Sequence, residues 1–266
     1  MLAAPWPVGA WTRDSVDVDV DARMCAGERS SVAFGGWLMA MVVEAAVQEG
    51  RDVTALTCRF LKRVEKGETL RVDVSQESGR TIAHVDLSLV SAVGVAVEAR
   101  VVAMGRDGQS ETWLPMPETP DPRDCPERTY RPGATDLRSL LDVRLASPEA
   151  SPERRSGGDA LLWARVGGGA SAAAKLAVLA DHVPYFVARS SADVLHAITV
   201  EASLRFLAPP ISDWILLRLS MSGADQGRAV GGVEMWDQSG RAVLTSEQTV
   251  RVLRARPELR LEPPPS

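Results

Sequence analysis

The sequence predicts an α+β protein of two tandem repeats, in each of which an antiparallel sheet wraps around a long helix. Three observations predict this fold class. Each half of the 266-residue chain places one apolar helix before four strand-like runs, similar residues recur about 146 positions apart, and a proline-rich segment separates the halves. A chain of this length accommodates two domains. We assign residues 1–104 to an N-terminal repeat, 105–158 to a crossover linker, 159–256 to a C-terminal repeat and 257–266 to a tail.

The first repeat begins with a predicted helix at Gly35 and Gly36 that runs to residue 47. It is apolar almost all round, so protein must enclose most of its surface. Glu44 is its only charged residue and therefore needs a partner or must be neutral. The predicted strands that follow are rich in β-branched residues and separated by turn residues. They span residues 54–61, 69–76, 81–91 and 95–104.

The linker is rich in proline and charged residues, as in the run LPMPETPDPRD at 114–124. Prolines at this density break helices and remove sheet hydrogen bonds. We therefore expect a surface crossover, with a short helix around residues 136–145.

The second repeat has the same order of predicted elements. Its helix spans about residues 170–183 and follows three consecutive glycines, and its strands span residues 198–207, 214–222, 229–237 and 242–253. Residues of the two halves also match in order at nearly one offset, which indicates an internal duplication. The matches are 57–61 with 203–207 and Gly94 with Gly240, both 146 apart, and 79–80 with 227–228, 148 apart.

Composition excludes several classes of protein. The net charge of −5 argues against a nucleic-acid-binding protein, which would carry a basic patch. Three scattered cysteines and three histidines without ligand spacing favour neither disulfides nor a metal site. The most apolar run, 32–47, is too short to cross a bilayer, and the first residues do not resemble a signal peptide. We expect a cytoplasmic protein with no metal or other cofactor and no membrane or nucleic-acid partner.

An ordered set of motifs covers both halves and misses only the linker. In the first half they are 34–40 (FGGWLMA), 56–63 (LTCRFLKR) and 77–80 (ESGR); in the second they are 179–181 (LAD), Thr199, 203–207 (SLRFL), 213–214 (DW), 236–241 (WDQSGR) and 246–248 (SEQ). This set resembles the acyl-CoA thioesterase II family. The resemblance implies a double-hotdog fold, a function in fatty acid metabolism and hydrolysis of the thioester of fatty acyl-CoA.

Thioester hydrolysis needs a positioned water, a base and donors for the carbonyl oxyanion. In the family an Asp, a Thr or Ser and a Gln of the second half hold the water. The resemblance implies that Asp181, Thr199 and Gln248 do so here. Asp181 lies near the end of an alanine-rich helix face, so we expect burial and the helix dipole to raise its pKa. The residues alone leave open a solvated carboxylate for Asp181 and a solvent-facing amide for Gln248.

Strand periodicity predicts where two of these side chains point. Alternation along the strand would place Thr199 on one face with Glu201, Ser203 and Arg205. Gln248 interrupts the alternation of the last strand, and an amide on its inward face must find hydrogen-bond partners.

The first half lacks a matching trio. The 146-residue offset aligns Thr199 with Val53 and Gln248 with Val102, and aligning the helices places Glu44 opposite Asp181. We therefore expect the first half to be catalytically silent, with Glu44 as an alternative base. Gly35 and Gly36 are candidate oxyanion donors because a helix N-terminus has free amides; the alternative is that they only form a tight turn into the helix.

The sequence thus predicts a thioesterase that hydrolyses acyl-CoA to fatty acid and coenzyme A by Asp-activated water. The alternative is a non-catalytic double-hotdog protein that binds acyl-CoA or an acyl carrier. A hotdog hydratase is disfavoured because Phe186 stands where such enzymes carry a histidine. Acyl-chain length is left open, and so is the oligomeric state, for which a homo-oligomer is one alternative.

Overall fold

The computed structural model describes residues 16–26, 31–46, 51–79, 81–105, 111–128, 136–150, 158–190 and 194–254. The predicted tail at 257–266 lies outside these ranges. Among the described residues, none of the helices has the length and apolar character needed to span a membrane.

The described strands and helices follow the predicted order. The strands are β1 (Val16–Asp19), β2 (Cys25–Ala26), β3 (Val32–Ala33), β4 (Asp52–Phe60), β5 (Thr69–Ser78), β6 (Ile82–Ser91), β7 (Gly94–Met104), β8 (Leu141–Leu145), β9 (Asp159–Val166), β10 (Val194–Phe206), β11 (Ile215–Asp225), β12 (Arg228–Asp237) and β13 (Ala242–Arg254). The helices are α1 (Gly35–Ala46), α2 (Ala172–Ala180) and α3 (Val183–Ser190), and short 3-10 helices occur at Ala22–Met24, Pro122–Asp124, Leu137–Leu140 and Pro148–Ala150.

One antiparallel sheet joins the two repeats. Its strand order is β1-β5-β6-β7-β4-β10-β13-β12-β11-β9-β8, and β2 pairs with β3 separately. Helices α1 and α2 pack against each other, and one buried apolar cluster connects them with the strands of both halves. α1 is buried along nearly its whole length, as its apolar sequence predicts. The double-hotdog α+β fold is confirmed.

The two repeats meet at a pseudo-twofold axis between β4 and β10. Thr57 lies opposite Ser203 at the centre of their five-residue pairing. The sequence offset of 146 aligns these same two residues with each other. A residue that pairs with its own counterpart lies on the symmetry axis, so the internal duplication is visible in the strand register.

The second helix differs from its predicted form. We expected a single helix over residues 170–183, but α2 ends at Ala180 and α3 begins at Val183. Pro184 lies in the first turn of α3, where its missing N–H costs nothing. In the described part of the first repeat α3 has no counterpart, which agrees with the longer separation between helix and strand in the second repeat.

The proline-rich segment contains regular structure and covers part of the sheet. The short helix expected around residues 136–145 is a 3-10 helix followed by β8, which pairs with β9. The indole N–H groups of Trp163 and Trp236 donate hydrogen bonds of 2.9 Å to the carbonyl oxygens of Pro120 and Leu114. Trp163 and Trp236 belong to a second, smaller apolar cluster on the C-terminal half-sheet, against which Leu114 packs. The domain boundaries assigned from the sequence stay a prediction.

Candidate active site

Asp181 lies between the two helices of the second repeat. It caps the C-terminus of α2, and its side chain is buried, with 5% of the residue exposed. The Thr199 hydroxyl donates to Asp181 Oδ1 at 3.0 Å, and the backbone N–H of Gly36 donates to Oδ2 at 2.8 Å. Both carboxylate oxygens therefore have a donor, one from each repeat.

Thr199 faces the helices because β10 carries a β-bulge. The register with β13 shifts between Thr199 and Glu201, which leaves Val200 without a partner. A bulge residue interrupts the alternation of side chains. Thr199 is consequently buried together with Ala202, whereas Val200 and Glu201 are exposed. The prediction that Thr199 shares a face with Glu201 is wrong, because strict alternation does not hold across the bulge.

Gln248 lies beside Thr199 and the end of α2. Its Oε1 is 3.4 Å from the Thr199 hydroxyl, and its amide nitrogen donates to the carbonyl oxygen of Ala180 at 2.7 Å. Only 1% of the residue is exposed. Because a glutamine amide carries two N–H donors, one remains after the bond to Ala180. The structure thus brings Thr199 within hydrogen-bonding reach of both Asp181 and Gln248.

Burial governs the ionisation of Asp181. It raises the pKa of the carboxyl group to about 7, and the hydrogen bonds from Thr199 and Gly36 act in the opposite direction. The positive end of α1 reaches the carboxylate through the Gly36 amide, which also favours the ionised form. A pKa near neutrality lets a carboxylate accept a proton from water and return it to a leaving group.

Gly35 and Gly36 allow the start of α1 to approach the end of α2. A Cβ atom on Gly35 would lie 2.7 Å from Asp181 Oδ2, and one on Gly36 would lie 2.7 Å from the carbonyl oxygen of Val178. The Gly36 N–H already donates its hydrogen bond to Asp181. The sequence argument that a helix N-terminus attracts an anion applies here, and the anion is the carboxylate of the other repeat.

Glu44 occupies the corresponding place in the first repeat. Its Oε1 accepts a hydrogen bond of 2.7 Å from the backbone N–H of Ser171, the N-cap of α2. Val53, the predicted counterpart of Thr199, is buried. Among the described residues, no hydroxyl or amide side chain forms a hydrogen bond with Glu44.

The strand register corrects one of the predicted counterparts. Leu56 lies opposite Val101 in β7, just as its counterpart Ala202 lies opposite Gln248 in β13. Val101, rather than Val102, therefore corresponds to Gln248. The constant offset failed because the turn between β12 and β13 is longer than the turn between β6 and β7.

Two further buried groups lie near this cluster. His182 Nδ1 is 2.8 Å from the carbonyl oxygen of Leu179, and burial lowers the pKa of the imidazole to about 4, so it is neutral. Burial, with the charge of Asp181, raises the pKa of the Cys58 thiol, so it stays protonated. The sequence analysis did not connect Cys58 with Asp181. Among the described residues, no three His, Cys, Asp or Glu side chains group together as a metal site would require.

Comparisons with known proteins bear on this geometry. Residues 26–104 match a family model described as the N-terminal domain of acyl-CoA thioesterase, and residues 116–252 match the C-terminal domain of the same description. A search of curated protein sequences found no match.

Solved structures share the fold across nearly the whole chain. A proposed thioesterase from Novosphingobium aromaticivorans DSM 12444 is 26% identical, with a TM-score of 0.78 over 91% of this chain and 96% of the other. A hotdog-fold protein of unknown function from Alicyclobacillus acidocaldarius is 22% identical (TM-score 0.75; 91% and 94% covered). The acyl-CoA thioesterase II TesB2 from Mycobacterium marinum is 18% identical (TM-score 0.71; 91% and 94% covered).

Proposed function

The chain belongs to the acyl-CoA thioesterase family, since both domain models match it in order, and from that premise we propose that it hydrolyses fatty acyl-CoA to a fatty acid and coenzyme A. The observation that carries the proposal is the hydrogen-bonded cluster of Asp181, Thr199 and Gln248 around a carboxyl group whose pKa is about 7. A family fold alone does not establish a reaction, whereas a site of this chemistry supports one.

In the proposed reaction Asp181 is the general base. Thr199 and the remaining N–H of Gln248 orient a water molecule, and the Asp181 carboxylate takes one of its protons as the oxygen attacks the thioester carbonyl carbon. The tetrahedral intermediate carries the negative charge on the former carbonyl oxygen. When it collapses, the carbon–sulfur bond breaks and the thiolate of coenzyme A receives the proton from Asp181. The reaction consumes one thioester and one water molecule and forms one carboxylic acid and one thiol.

The oxyanion needs N–H donors that are free to reach it. We propose that the first turn of α1 supplies them. The Gly36 N–H already donates to Asp181, while the Gly35 N–H has no acceptor among the described residues. Gly35 is therefore the better candidate of the two for the oxyanion, and Gly36 for positioning the base.

A second function is favoured by one observation. Asp181, Thr199 and Gln248 are exposed by only 5%, 7% and 1%, so little surface is open to a substrate carbonyl. This favours the alternative of a non-catalytic protein that binds acyl-CoA or an acyl carrier. The three cysteines are free and buried, which supports a reducing compartment, so we propose a cytoplasmic location for either function.

Release of free thiol from a panel of acyl-CoA esters of increasing chain length tests the proposal. We expect turnover by the wild-type protein and a decrease in kcat of about 10²- to 10⁴-fold for Asp181→Asn. Glu44→Gln is the matched control, because it changes the corresponding carboxylate of the other repeat; its kcat should stay within a few-fold of wild type. Equal turnover by wild type and Asp181→Asn would reject Asp181 as the base, and binding without turnover would establish the alternative.

A further inference from the structure

The sheet opens beside Thr199. The pairing of β4 with β10 ends at Arg59 and Glu201, and the same register would place Leu61 opposite Thr199. The Leu61 N–H instead donates to the carbonyl oxygen of Ala96 at 2.8 Å, so the chain turns toward β7 and leaves β10. No described strand therefore pairs with the first part of β10 on this side. Thr199 lies at the end of that gap.

The rim of this opening is apolar. Leu61, Ile198 and Val200 are 50%, 52% and 44% exposed, so all three present apolar surface to solvent. Thr199 lies between Ile198 and Val200 in the chain but points inward. A narrow, flexible group that crosses the sheet edge here would contact apolar side chains outside and reach the Thr199 hydroxyl inside.

Two arginines extend from this rim across the outer surface. Arg251 lies opposite Ile198, and Arg228 lies opposite Arg251 on the next strand. Both are exposed, and neither forms an ion pair with a carboxylate of the described chain. Like charges directly opposite each other on neighbouring strands repel, so an anion bound between the two guanidinium groups would relieve that repulsion. Asp225, opposite Arg228 on its other side, forms no ion pair with it.

The other basic residues near the opening are already engaged. Arg59 forms an ion pair with Glu98, and Arg63 forms one with Glu65 at 3.3 Å. The Lys62 ammonium donates to the carbonyl oxygen of Val93. Arg228 and Arg251 thus differ from Arg59 and Arg63 in having no carboxylate partner among the described residues, and Lys62 keeps its own charge because a carbonyl oxygen does not neutralise it.

We propose that Arg228 and Arg251 bind the phosphate groups of coenzyme A, with the pantetheine arm crossing the rim at Ile198 and Val200 toward Thr199. The inference rests on the proposed function, because it assigns a place to the part of the substrate remote from the thioester. Guanidinium groups bind phosphate oxygens in bidentate pairs, which suits two adjacent arginines. Binding of such a remote group lowers KM without taking part in the chemical step.

Kinetics with a full and a truncated substrate test this inference. For Arg228→Gln/Arg251→Gln we expect KM for an acyl-CoA to rise about tenfold or more with kcat unchanged, since a lost charge-assisted contact is worth about one order of magnitude. The corresponding acyl-pantetheine lacks the nucleotide, so the double variant should hydrolyse it as the wild type does. Arg205→Gln is the control, because Arg205 is an exposed arginine at the other end of β10. Equal KM values for wild type and double variant on acyl-CoA would overturn the assignment, as would an equal rise for both substrates.

Calorimetry with coenzyme A itself separates this inference from the proposed function. The measurement requires no turnover, so it tests phosphate binding by Arg228 and Arg251 even if the protein hydrolyses neither substrate. We expect the double variant to bind coenzyme A at least tenfold more weakly than the wild type and Arg205→Gln do. Added salt should lower the affinity of the wild type for coenzyme A, because it screens the charges. Unchanged affinity in the double variant would place the phosphates elsewhere.

Discussion

The backbone N–H of Ser171 donates to Glu44 Oε1 at 2.7 Å, which repeats, between the same two helices, the bond from Gly36 to Asp181. Each helix N-terminus thus holds a carboxylate of the other repeat. The two carboxylates differ in their neighbours: Asp181 also meets Thr199, and burial raises its pKa to about 7. The same helix-to-carboxylate contact thus occurs in both repeats, but only the carboxylate of Asp181 has the neighbours and the pKa that suit a base.

Asp181 should make the stability of the protein depend on pH. Its folded pKa of about 7 lies above the ordinary value of 3.8, so the folded state binds more protons between these values. Its contribution to the free energy of unfolding therefore falls as pH rises from about 4 to 7, by about 4 kcal/mol in total.

Urea denaturation of the wild type and Asp181→Asn at pH 5 and pH 8 measures this contribution. His182 acts with the opposite sign, because its pKa is lowered to about 4, so the difference between the two proteins is the relevant quantity. We expect Asp181→Asn to gain stability relative to wild type as pH rises. A difference that does not vary with pH would contradict a raised pKa.

Thr199→Val should reduce activity and move its pH dependence. The hydroxyl bond lowers the pKa of Asp181, so its loss raises that pKa and shifts the acidic limb of kcat/KM to higher pH. We also expect about a tenfold lower rate at pH 8, where loss of water orientation dominates. Packing should tolerate the change, since Val53 fills the corresponding position.

The matched control for this substitution is Thr54→Val. The Thr54 hydroxyl donates to the carbonyl oxygen of Val102 at 3.1 Å in the first repeat, away from Asp181. Its pH profile should coincide with that of the wild type. If Thr199→Val keeps the wild-type acidic limb, the hydroxyl does not influence the base.

Gly36→Ala should destabilise the junction between the helices. The new Cβ would meet the Val178 carbonyl oxygen at 2.7 Å, and backbone cannot move aside as a flexible side chain can. We expect a loss of about 1–3 kcal/mol in the free energy of unfolding and a lower kcat. Gly169→Ala is the control, because an added Cβ there has no neighbour within 4 Å among the described residues. Equal unfolding midpoints for the two variants would show that the helices separate easily.

Trp236→Phe should loosen the proline-rich segment from the sheet. The substitution removes the indole donor to Leu114 and leaves that carbonyl oxygen unpaired, which costs about 1–3 kcal/mol. Thermal unfolding measures the loss, and hydrogen exchange near residues 114–116 should rise. Trp113→Phe, at a residue that is 87% exposed, should leave both measurements unchanged. If the two variants have the same unfolding temperature and hydrogen exchange, the Trp236–Leu114 hydrogen bond does not hold the segment to the sheet.

Local sequence determined most elements of the fold. A nearly continuous apolar run marks α1, and runs rich in β-branched residues mark the long strands. The 146-residue offset identifies the residues that meet on the pseudo-twofold axis, Thr57 and Ser203. Such runs depend on residues that are neighbours in the chain, and the offset depends on repetition along it, so the sequence alone reveals both. The motifs also singled out the side chains that lie together at the end of α2, although their chemical roles stay proposals.

Only the tertiary structure decided how those side chains meet. The bulge at Val200 turns Thr199 toward the helices, and the acceptor for Gly36 proves to be Asp181, 145 residues away. Pro184 has no N–H for the carbonyl oxygen of Ala180, four residues earlier, and only the tertiary structure supplies the replacement donor, the Gln248 amide on a distant strand. Hydrogen bonds of this kind depend on which segments become neighbours in space, and local propensity carries no information about partners so far apart in the chain.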